Sequence, residues 1–185
     1  YNVVLTLTDS ANYKWTDSTK AAKTLKFNIT KATANTVTVN IEGWTYGEAA
    51  KAPTSTATFG TAAYTYAVKG SNEFDAKVPT AAGEYTVKAA VAGTDSYPAG
   101  EATKDFTIAK AEVTAPTISG KTYTGKTLTA DVAESTLYTV TENKGGTDAG
   151  SYDVVLKLTD AANYKWTDSE EAAKKLTFQI TKATA

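Results

Sequence analysis

Residues that could carry catalysis or bind a metal are scarce in this chain. Cys, His and Met are absent from its 185 residues, which excludes thiol nucleophiles, disulfides, imidazole bases and the usual zinc sites. The paired carboxylates Glu170 and Glu171 are what remains for acid–base chemistry. A second copy of this stretch has Thr19 and Lys20 at the same two positions, so the pair indicates a solvated surface. With no glycine-rich phosphate loop or nucleophile motif, we predict no enzyme activity and no cofactor.

Two further kinds of site are conceivable from residue types alone. Asp9, Asp95 and Asp160 each stand shortly before a tyrosine, but no second and third carboxylate follow at the spacing of a calcium loop. We interpret them as Asx turns. An intramolecular Lys–Asn isopeptide bond would use Asn28, whose counterparts in the other copies are Thr and Gln. Neither Thr nor Gln can form that bond, so no isopeptide bond is expected. Because the carboxylates lack the spacing of a calcium loop, we also predict no metal site.

The tryptophans are the candidates for contact with a ligand or with a neighbouring domain. Trp15 lies in a Tyr-Lys-Trp triplet, and Trp166 lies in its identical copy. Exposed rings beside polar groups can stack on a sugar, but the triplets stay identical while their neighbours change, so a core role is favoured. Trp44 differs because its counterpart is Lys121. A position that accepts lysine predicts an exposed ring, available to a ligand or to another domain.

These residues belong to a repeating sequence. Residues 1–34 and 152–185 are identical at 26 of 34 positions. A weaker third copy lies between them, where AGEYTV and FTIAKA match the later AGSYDV and FQITKA. Such internal repetition is typical of tandem arrays. We predict the C-terminal half of a repeat unit at 1–34, a complete unit at 35–111 and a second complete unit at 112–185.

Hydrophobic alternation predicts that each unit consists of strands. In the closing segment, Leu25, Phe27 and Ile29 alternate with polar residues, the period-2 pattern of a half-buried strand. Similar patterns occur at 1–7, 37–41, 64–68, 85–91, 106–109 and 137–140. Residues 18–23 and their copy 169–174 are the two segments with helical character, each a single capped turn. The sequence therefore predicts an all-β fold with about seven short strands per unit.

Charge and hydropathy narrow the possible partners. The 19 basic residues are all lysine, and 20 acidic residues leave a net charge of −1. Without a basic stripe or an arginine fork, we predict no nucleic-acid binding. No apolar run is long enough to cross a bilayer, so no membrane insertion is expected. A chain without oxidisable sulfur suits an extracellular location.

Residues 148–154 (DAGSYDV) look like the tyrosine corner of immunoglobulin-like sandwiches. The resemblance implies that the hydroxyl of Tyr152 returns to the backbone and that Val154 replaces the inward cysteine. Tyr85 and Val87 carry the weaker form of the motif.

Together with an early Gly-x-Thr-Tyr and a final Phe-x-Ile-x-Lys-Ala in each complete unit, the chain resembles tandem repeats of bacterial surface proteins and adhesins, of the bacterial Ig-like and MBG type. This implies tandem Ig-like β-sandwich modules, with β-grasp-like repeats as the alternative, at a bacterial cell surface or outside the cell. The implied function is a structural stalk or spacer that projects a binding region, with neighbouring repeat units as partners. The alternatives are a carbohydrate- or mucin-binding adhesin module that contacts a glycan or host surface, and a self-assembling extracellular fibre.

The incomplete unit at 1–34 is expected to leave its strands without partners. Strands at 1–7 and 25–29 would expose apolar faces and unpaired edges. We expect either that they pair with residues 113–151 of a neighbouring chain or that this sequence is one part of a longer polymer.

Overall fold

The computed structural model describes residues 1–184, and in these residues the chain is all-β, as predicted. Helices are absent from this part of the chain. The strands, in chain order, are β1 (Asn2–Leu5), β2 (Lys23–Lys26), β3 (Val37–Asn40), β4 (Trp44–Thr45), β5 (Thr54–Ala57), β6 (Ala63–Val68), β7 (Gly83–Val91), β8 (Gly100–Ala109), β9 (Ala111–Val113), β10 (Lys121–Thr122), β11 (Tyr138–Asn143), β12 (Gly150–Leu158), β13 (Tyr164–Trp166) and β14 (Ala173–Thr181).

The middle part of the chain contains two sheets. One has four strands in the order β4-β8-β7-β6, with β4 parallel to β8 and the other neighbours antiparallel. The other consists of β3 and β5, paired antiparallel. Strand β7 alternates small or apolar inward residues with polar outward ones because one face of the sheet is buried and the other meets solvent.

The last part of the chain repeats the four-stranded sheet. Its order is β10-β14-β12-β11, again with the short first strand parallel to its neighbour. The second sheet differs, since β9 pairs with β13 in parallel. The described residues thus contain six strands between 37 and 109 and six between 111 and 181, where about seven per unit were expected.

The parallel edge strand requires a glycine before it. Gly120 precedes β10, and a Cβ built there would lie 2.9 Å from the carbonyl oxygen of Gln179 on β14. Gly43 precedes β4 and approaches the carbonyl of Thr107 on β8 in the same way. A larger residue would push the edge strand off its partner. This explains why Gly-x-Thr-Tyr occurs early in both complete units.

Each four-stranded sheet contributes to a separate apolar cluster. Aromatic and β-branched residues fill both clusters, with partly buried rings at their edges. The middle cluster contains Ile41, Trp44, Tyr66, Val87, Phe106 and Ile108. The last cluster contains Val113, Ala130, Tyr138, Val154, Leu156, Leu158, Trp166, Phe178 and Ile180.

The N-terminal part of the chain is a hairpin with an uncovered apolar face. Strands β1 and β2 pair antiparallel with Val3 opposite Leu25, and their copies on β12 and β14 pair in the same register, Val154 opposite Leu176. The apolar residues that face inward on the copy are solvent-exposed here: Val3, Leu5, Leu25, Phe27 and Ile29.

The two predicted helical turns are wrong. At the first, the carboxylate of Asp17 accepts hydrogen bonds from the backbone N–H and the hydroxyl of Thr19, at 3.1 and 2.7 Å. Ser18 takes a left-handed conformation with φ of 65°, which stops a right-handed helix. At the second, the hydroxyl of Ser169 accepts from the N–H of Glu171 at 3.1 Å. Side chains thus take the backbone donors that a helix would need.

The duplicated hairpins offer a matched test of burial. Phe178 is fully buried and its copy Phe27 is 49% exposed. We expect Phe178→Ala to lower the free energy of unfolding by about 3–5 kcal/mol, because it removes a large ring and leaves a cavity. Phe27→Ala should lower that free energy by clearly less, because about half of Phe27 is already exposed and it lies outside both apolar clusters. Urea unfolding followed by circular dichroism measures both, and equal effects would contradict this account of the two faces.

Candidate functional site

The tyrosine motifs close a loop at the start of β7 and of β12. The hydroxyl of Tyr152 donates to the carbonyl of Asp148 at 2.8 Å, and that of Tyr85 donates to the carbonyl of Ala81 at 3.0 Å. The residues two positions later, Val154 and Val87, are fully buried. This is the geometry that the resemblance implies for both tyrosines. The ring of Tyr152 needs Gly146 beneath it, because a Cβ at that position would overlap the ring.

The second structural element is an Asx turn before β13. The Asp160 carboxylate accepts from the backbone N–H groups of Ala162 and Asn163, both at 3.2 Å, and from Asn163 Nδ2 at 2.8 Å. These bonds, above all the one from the Asn163 side chain, hold the pKa of Asp160 below its usual value. Asp9 forms the same turn with Asn12, which likewise lowers the pKa of Asp9.

The Asx turn expected at Asp95 is not formed. In the middle unit the hydroxyl of Thr94 accepts from the N–H groups of Ser96 and Tyr97, at 3.2 and 3.4 Å. A threonine hydroxyl can replace the carboxylate in such turns. The turn was therefore predicted in the correct loop, but the side chain that holds it is Thr94 and not Asp95.

The tyrosine-corner loop of the middle unit meets the Asx turn of the last unit. The N–H of Ala82, next to Ala81, donates to Asn163 Oδ1 at 2.8 Å. Lys110 Nζ donates to the carbonyl of Ala161 at 2.7 Å. The N–H of Ala111 donates to the carbonyl of Asn163 at 3.0 Å. Asn163 therefore joins its own turn to the preceding unit through both its side chain and its backbone. These contacts form what we call the junction.

An aromatic pair and a lysine lie beside these hydrogen bonds. The rings of Tyr46 and Tyr164 meet edge to face with centroids 5.4 Å apart, a favourable arrangement. Lys165 binds Glu170 at 2.9 Å and lies 3.8 Å from Glu112. Glu170 first, and Glu112 to a smaller degree, raise the pKa of Lys165. Glu170, interpreted from the sequence as part of a solvated surface, is exposed and forms this ion pair.

The connection of the N-terminal hairpin to the middle unit repeats one bond of the junction. The N–H of Ala32 donates to the carbonyl of Ser96 at 2.9 Å. Ala32 and Ala111 are the same position of the repeat, and Ser96 and Asn163 each precede a tyrosine. Both connections therefore place the end of one unit against the same loop of the next.

Trp44 is buried, which corrects the expectation of an exposed contact residue. Its side chain is 6% exposed and stacks on Phe106 with centroids 5.2 Å apart. Lys121 does occupy the same position, since Trp44 pairs with Ile108 and Lys121 with Ile180. The inference failed because lysine can lay its aliphatic stem along the sheet while its ammonium reaches outward. Here Lys121 Nζ binds Asp131 at 2.8 Å.

The two copied tryptophans have different surroundings. Trp166 is fully buried and packs against Tyr138 at a centroid distance of 5.7 Å. Trp15 is half-buried. Each indole nitrogen donates to a backbone carbonyl six residues later, at 3.4 Å for Trp166 and 2.7 Å for Trp15. The core role expected of the pair applies to Trp166, while Trp15 lies outside both apolar clusters.

The other sequence candidates do not converge on a reactive centre. Asn28 is exposed, whereas an isopeptide bond needs a buried partner. Within residues 1–184, no three Asp or Glu residues are grouped to hold a metal. A surface cleft of about 660 Å³ has Glu101 as its charged residue among small neighbours. Over the same residues there is no helix with the length and apolar character needed to cross a bilayer.

Two comparisons with known proteins, by family and by sequence, gave no match. No protein-family model matches the chain, and no curated protein matches it in sequence.

Sequence reasoning missed the residues of the junction. Asn163, Lys110 and Tyr46 were not singled out, although Asn163 and its copy Asn12 are identical. The signal that could have found Asn163 is its spacing, three residues after an aspartate that forms an Asx turn. Its second contact, to Ala82, has no sequence signature because it depends on how two units meet.

The Asx turn generates a prediction on pH. Because folding lowers the pKa of Asp160, this group stabilises the fold at pH above its ordinary value near 3.8. That stabilisation is lost as the pH falls through the lower value of the folded state. We expect Asp160→Asn to lower the melting temperature at pH 7 and to flatten its dependence below pH about 4. Asp9→Asn is the matched control, since the same turn there supports no covered core. A melting curve at several pH values that does not distinguish the two variants would contradict the prediction.

Proposed function

We propose that this chain is a run of Ig-like repeat units from a bacterial cell-surface or extracellular protein, and that the units act as a structural stalk or spacer that projects a binding region. The observation that carries the proposal is the repeated contact between units. The same backbone bond, from Ala32 to Ser96 and from Ala111 to Asn163, occurs at two successive connections. Units that meet in a recurring way add up to an extended array.

The side chains of the junction support a stiff connection. Asn163 and Lys110 each bind backbone across it, and Tyr46 packs against Tyr164. The end of β8 at Ala109 is followed at Ala111 by β9. One residue between the two strands leaves little freedom for the units to tumble separately.

The Ig-like assignment is supported by strand order and by the tyrosine position. Strands β6, β7 and β8 form an antiparallel run with the corner tyrosine at the start of the middle strand, as strands C, F and G do in Ig domains. Aromatic residues lie on the first strand of each run, Tyr66 and Tyr138, both buried. Tyr66 lies opposite Val87, the residue two positions after the corner tyrosine, whereas Tyr138 lies opposite Leu158, further along its strand.

The last unit offers the same groups for a further contact. Tyr123, Ala149 and Lys182 occupy the repeat positions of Tyr46, Ala82 and Lys110. The backbone bond at the tyrosine is also the same, since the N–H of Tyr123 and that of Tyr46 each donate at 2.8 Å to the strand beside them. The last unit thus carries Asn163 on one side of the junction and counterparts of the residues on the other side.

The glycan-binding alternative loses its main support. Two of the three tryptophans are buried in the clusters of the complete units, and a ring inside a core cannot stack on a sugar. The alternative of a self-assembling fibre depends on the N-terminal hairpin, so the burial of these tryptophans does not bear on it.

A distance measurement between the complete units tests the stalk. The chain has no cysteine, so spin labels at Lys104→Cys and Lys157→Cys, both exposed positions on different units, report one distance. We expect one narrow distance distribution by electron–electron double resonance, because the junction fixes the two units. Asn163→Ala should broaden the distribution by removing the bond to Ala82.

The matched control for this experiment is Asn12→Ala. It opens the same Asx turn in the N-terminal hairpin without touching the junction, so the distribution should stay narrow. A broad distribution in the parent chain would mean independently moving units and would contradict the stalk. Small-angle scattering on the same samples would give the maximum dimension, which is larger for an in-line pair than for a folded-back one.

A further inference from the structure

We propose that each complete unit contains a mechanical clamp, and that the buried ring of Trp44 anchors the clamp of the middle unit. The clamp is the pairing of a short edge strand with the last long strand of its unit, β4 with β8 and β10 with β14. Its biological use rests on the proposed stalk, because a stalk that holds a binding region carries tension.

The chain enters and leaves the middle unit at opposite ends of β8. At the entry, Asn35 Nδ2 donates at 3.4 Å to the carbonyl of Pro98, just before β8 begins. At the exit, the chain continues from the end of β8 at Ala109 into β9. Because β8 has 10 residues, its two ends lie roughly 30 Å apart. Tension on the chain therefore acts along β8.

The last unit has the same arrangement. Its entry strand β9 pairs with β13, where Val113 lies opposite Trp166. The indole nitrogen of Trp166 donates to the carbonyl of Ala172, one residue before β14 begins. The chain leaves at the other end of β14, after Thr181. Here too, tension acts along the last long strand.

Parallel pairing turns this tension into a shearing load on the edge strand. Tension draws β4 towards the start of its unit and β8 towards the end. Since the two strands run parallel, they must slide past each other, and the hydrogen bonds between them are loaded together. One of these bonds runs from the N–H of Tyr46 to the carbonyl of Ala109 at 2.8 Å. Its copy in the last unit, from Tyr123 to Thr181, has the same length.

The edge strand is the part of the clamp that can be pulled away. Within residues 1–184, β4 pairs with β8 alone, whereas β8 also pairs along the whole length of β7. Tension reaches β4 through β3, whose residues are exposed or half-buried, so β3 can detach while the buried residues of the cluster stay in place. The force at which the unit opens is therefore set by what holds β4, because forced unfolding follows the barrier to unfolding.

Trp44 holds β4 through burial as well as through backbone pairing. Its side chain is 6% exposed and stacks on Phe106 of β8 at a centroid distance of 5.2 Å. Sliding β4 along β8 draws this ring out of the cluster, which exposes apolar area to water. At the same position of the last unit, Lys121 is half-buried and binds the exposed Asp131. An exposed ion pair of this kind contributes little, so the ring is an anchor of the middle unit.

The test is single-molecule force spectroscopy on the whole chain, which has no cysteine of its own. The substitutions Lys31→Cys and Lys182→Cys attach the handles at exposed positions on either side of the two complete units. We expect two unfolding events, each of which should lengthen the molecule by roughly 3.5 Å per released residue. That length distinguishes the opening of a unit from the separation of the junction, which releases few residues.

The direction of pulling separates a clamp from ordinary stability. Ala50→Cys with Lys182→Cys attaches one handle at an exposed site shortly after β4. The middle unit is then loaded at the same end of β4 and β8, so their bonds break in turn, while the last unit is loaded as before. We expect the unfolding force of the middle unit to fall at least about twofold and that of the last unit to stay unchanged.

Substitutions in the two clamps test their parts. Trp44→Lys gives the middle unit the residue found at position 121, and we expect it to lower the unfolding force of that unit alone. Trp44→Phe keeps a buried ring and should retain most of the force. Tyr123→Pro removes the N–H that donates to Thr181 and should lower the force of the last unit alone. If Trp44→Lys prevents folding, the direction of pulling and Tyr123→Pro decide.

Two outcomes would overturn the proposal. The first is an unfolding force of the middle unit that does not depend on the direction of pulling, which would mean that no clamp is loaded in shear. The second is an equal force for the parent chain and Trp44→Lys, which would remove Trp44 as the anchor. The stalk is tested separately, by the distance distribution between the units. A narrow distribution together with either outcome would keep the stalk and remove the clamp.

Discussion

The constraint on which this structure depends is that a β-hairpin cannot cover its own apolar face. Strands β12 and β14 place Val154, Leu156 and Phe178 on one side of a two-stranded surface. That surface becomes a core because β11 extends the same sheet beside β12, and because residues of β9, of β13 and of the irregular chain around Ala130 pack into the same cluster. Where the same hairpin lacks this layer, its large side chains remain in solvent. The pairing of strands is therefore local, while the core is a property of the whole unit.

The two copies separate local from long-range causes. Turn bonds such as those of Asp9 and Asp160 form in both, although their cores differ. The indole of Trp15 keeps the backbone bond that Trp166 makes. Conversely, residues 13–15 have no strand pairing, whereas Tyr164–Trp166 become β13 by pairing with β9. Local side-chain bonds thus determine the turns, and the first half of the unit determines whether this triplet is a strand.

The sequence predicted those features that depend on near neighbours. Alternation located β7 and β8, and the motif around Tyr152 implied a hydroxyl bond that the structure contains. It did not predict the burial of Trp44, because a lysine at the matching position can extend past the sheet edge to Asp131. The sequence also predicted a helical turn at 18–23 that the structure does not contain, because the carboxylate of Asp17 accepts a hydrogen bond from a backbone N–H in this segment. Both errors arise where a side chain forms a hydrogen bond or ion pair that the residue pattern does not reveal.

Asn163 shows how one residue can connect folding within a unit to the arrangement of units. Its Nδ2 is used locally, on Asp160, and its Oδ1 is used by the neighbouring unit, on Ala82. Because the local bond fixes the amide plane, the acceptor is already oriented when the tyrosine-corner loop approaches. The corner loop is itself held by the bond of Tyr85 to Ala81. The Asx turn at Asp160 and the tyrosine-corner loop at Tyr85 therefore hold their own parts of the fold and also supply the surfaces that meet at this junction.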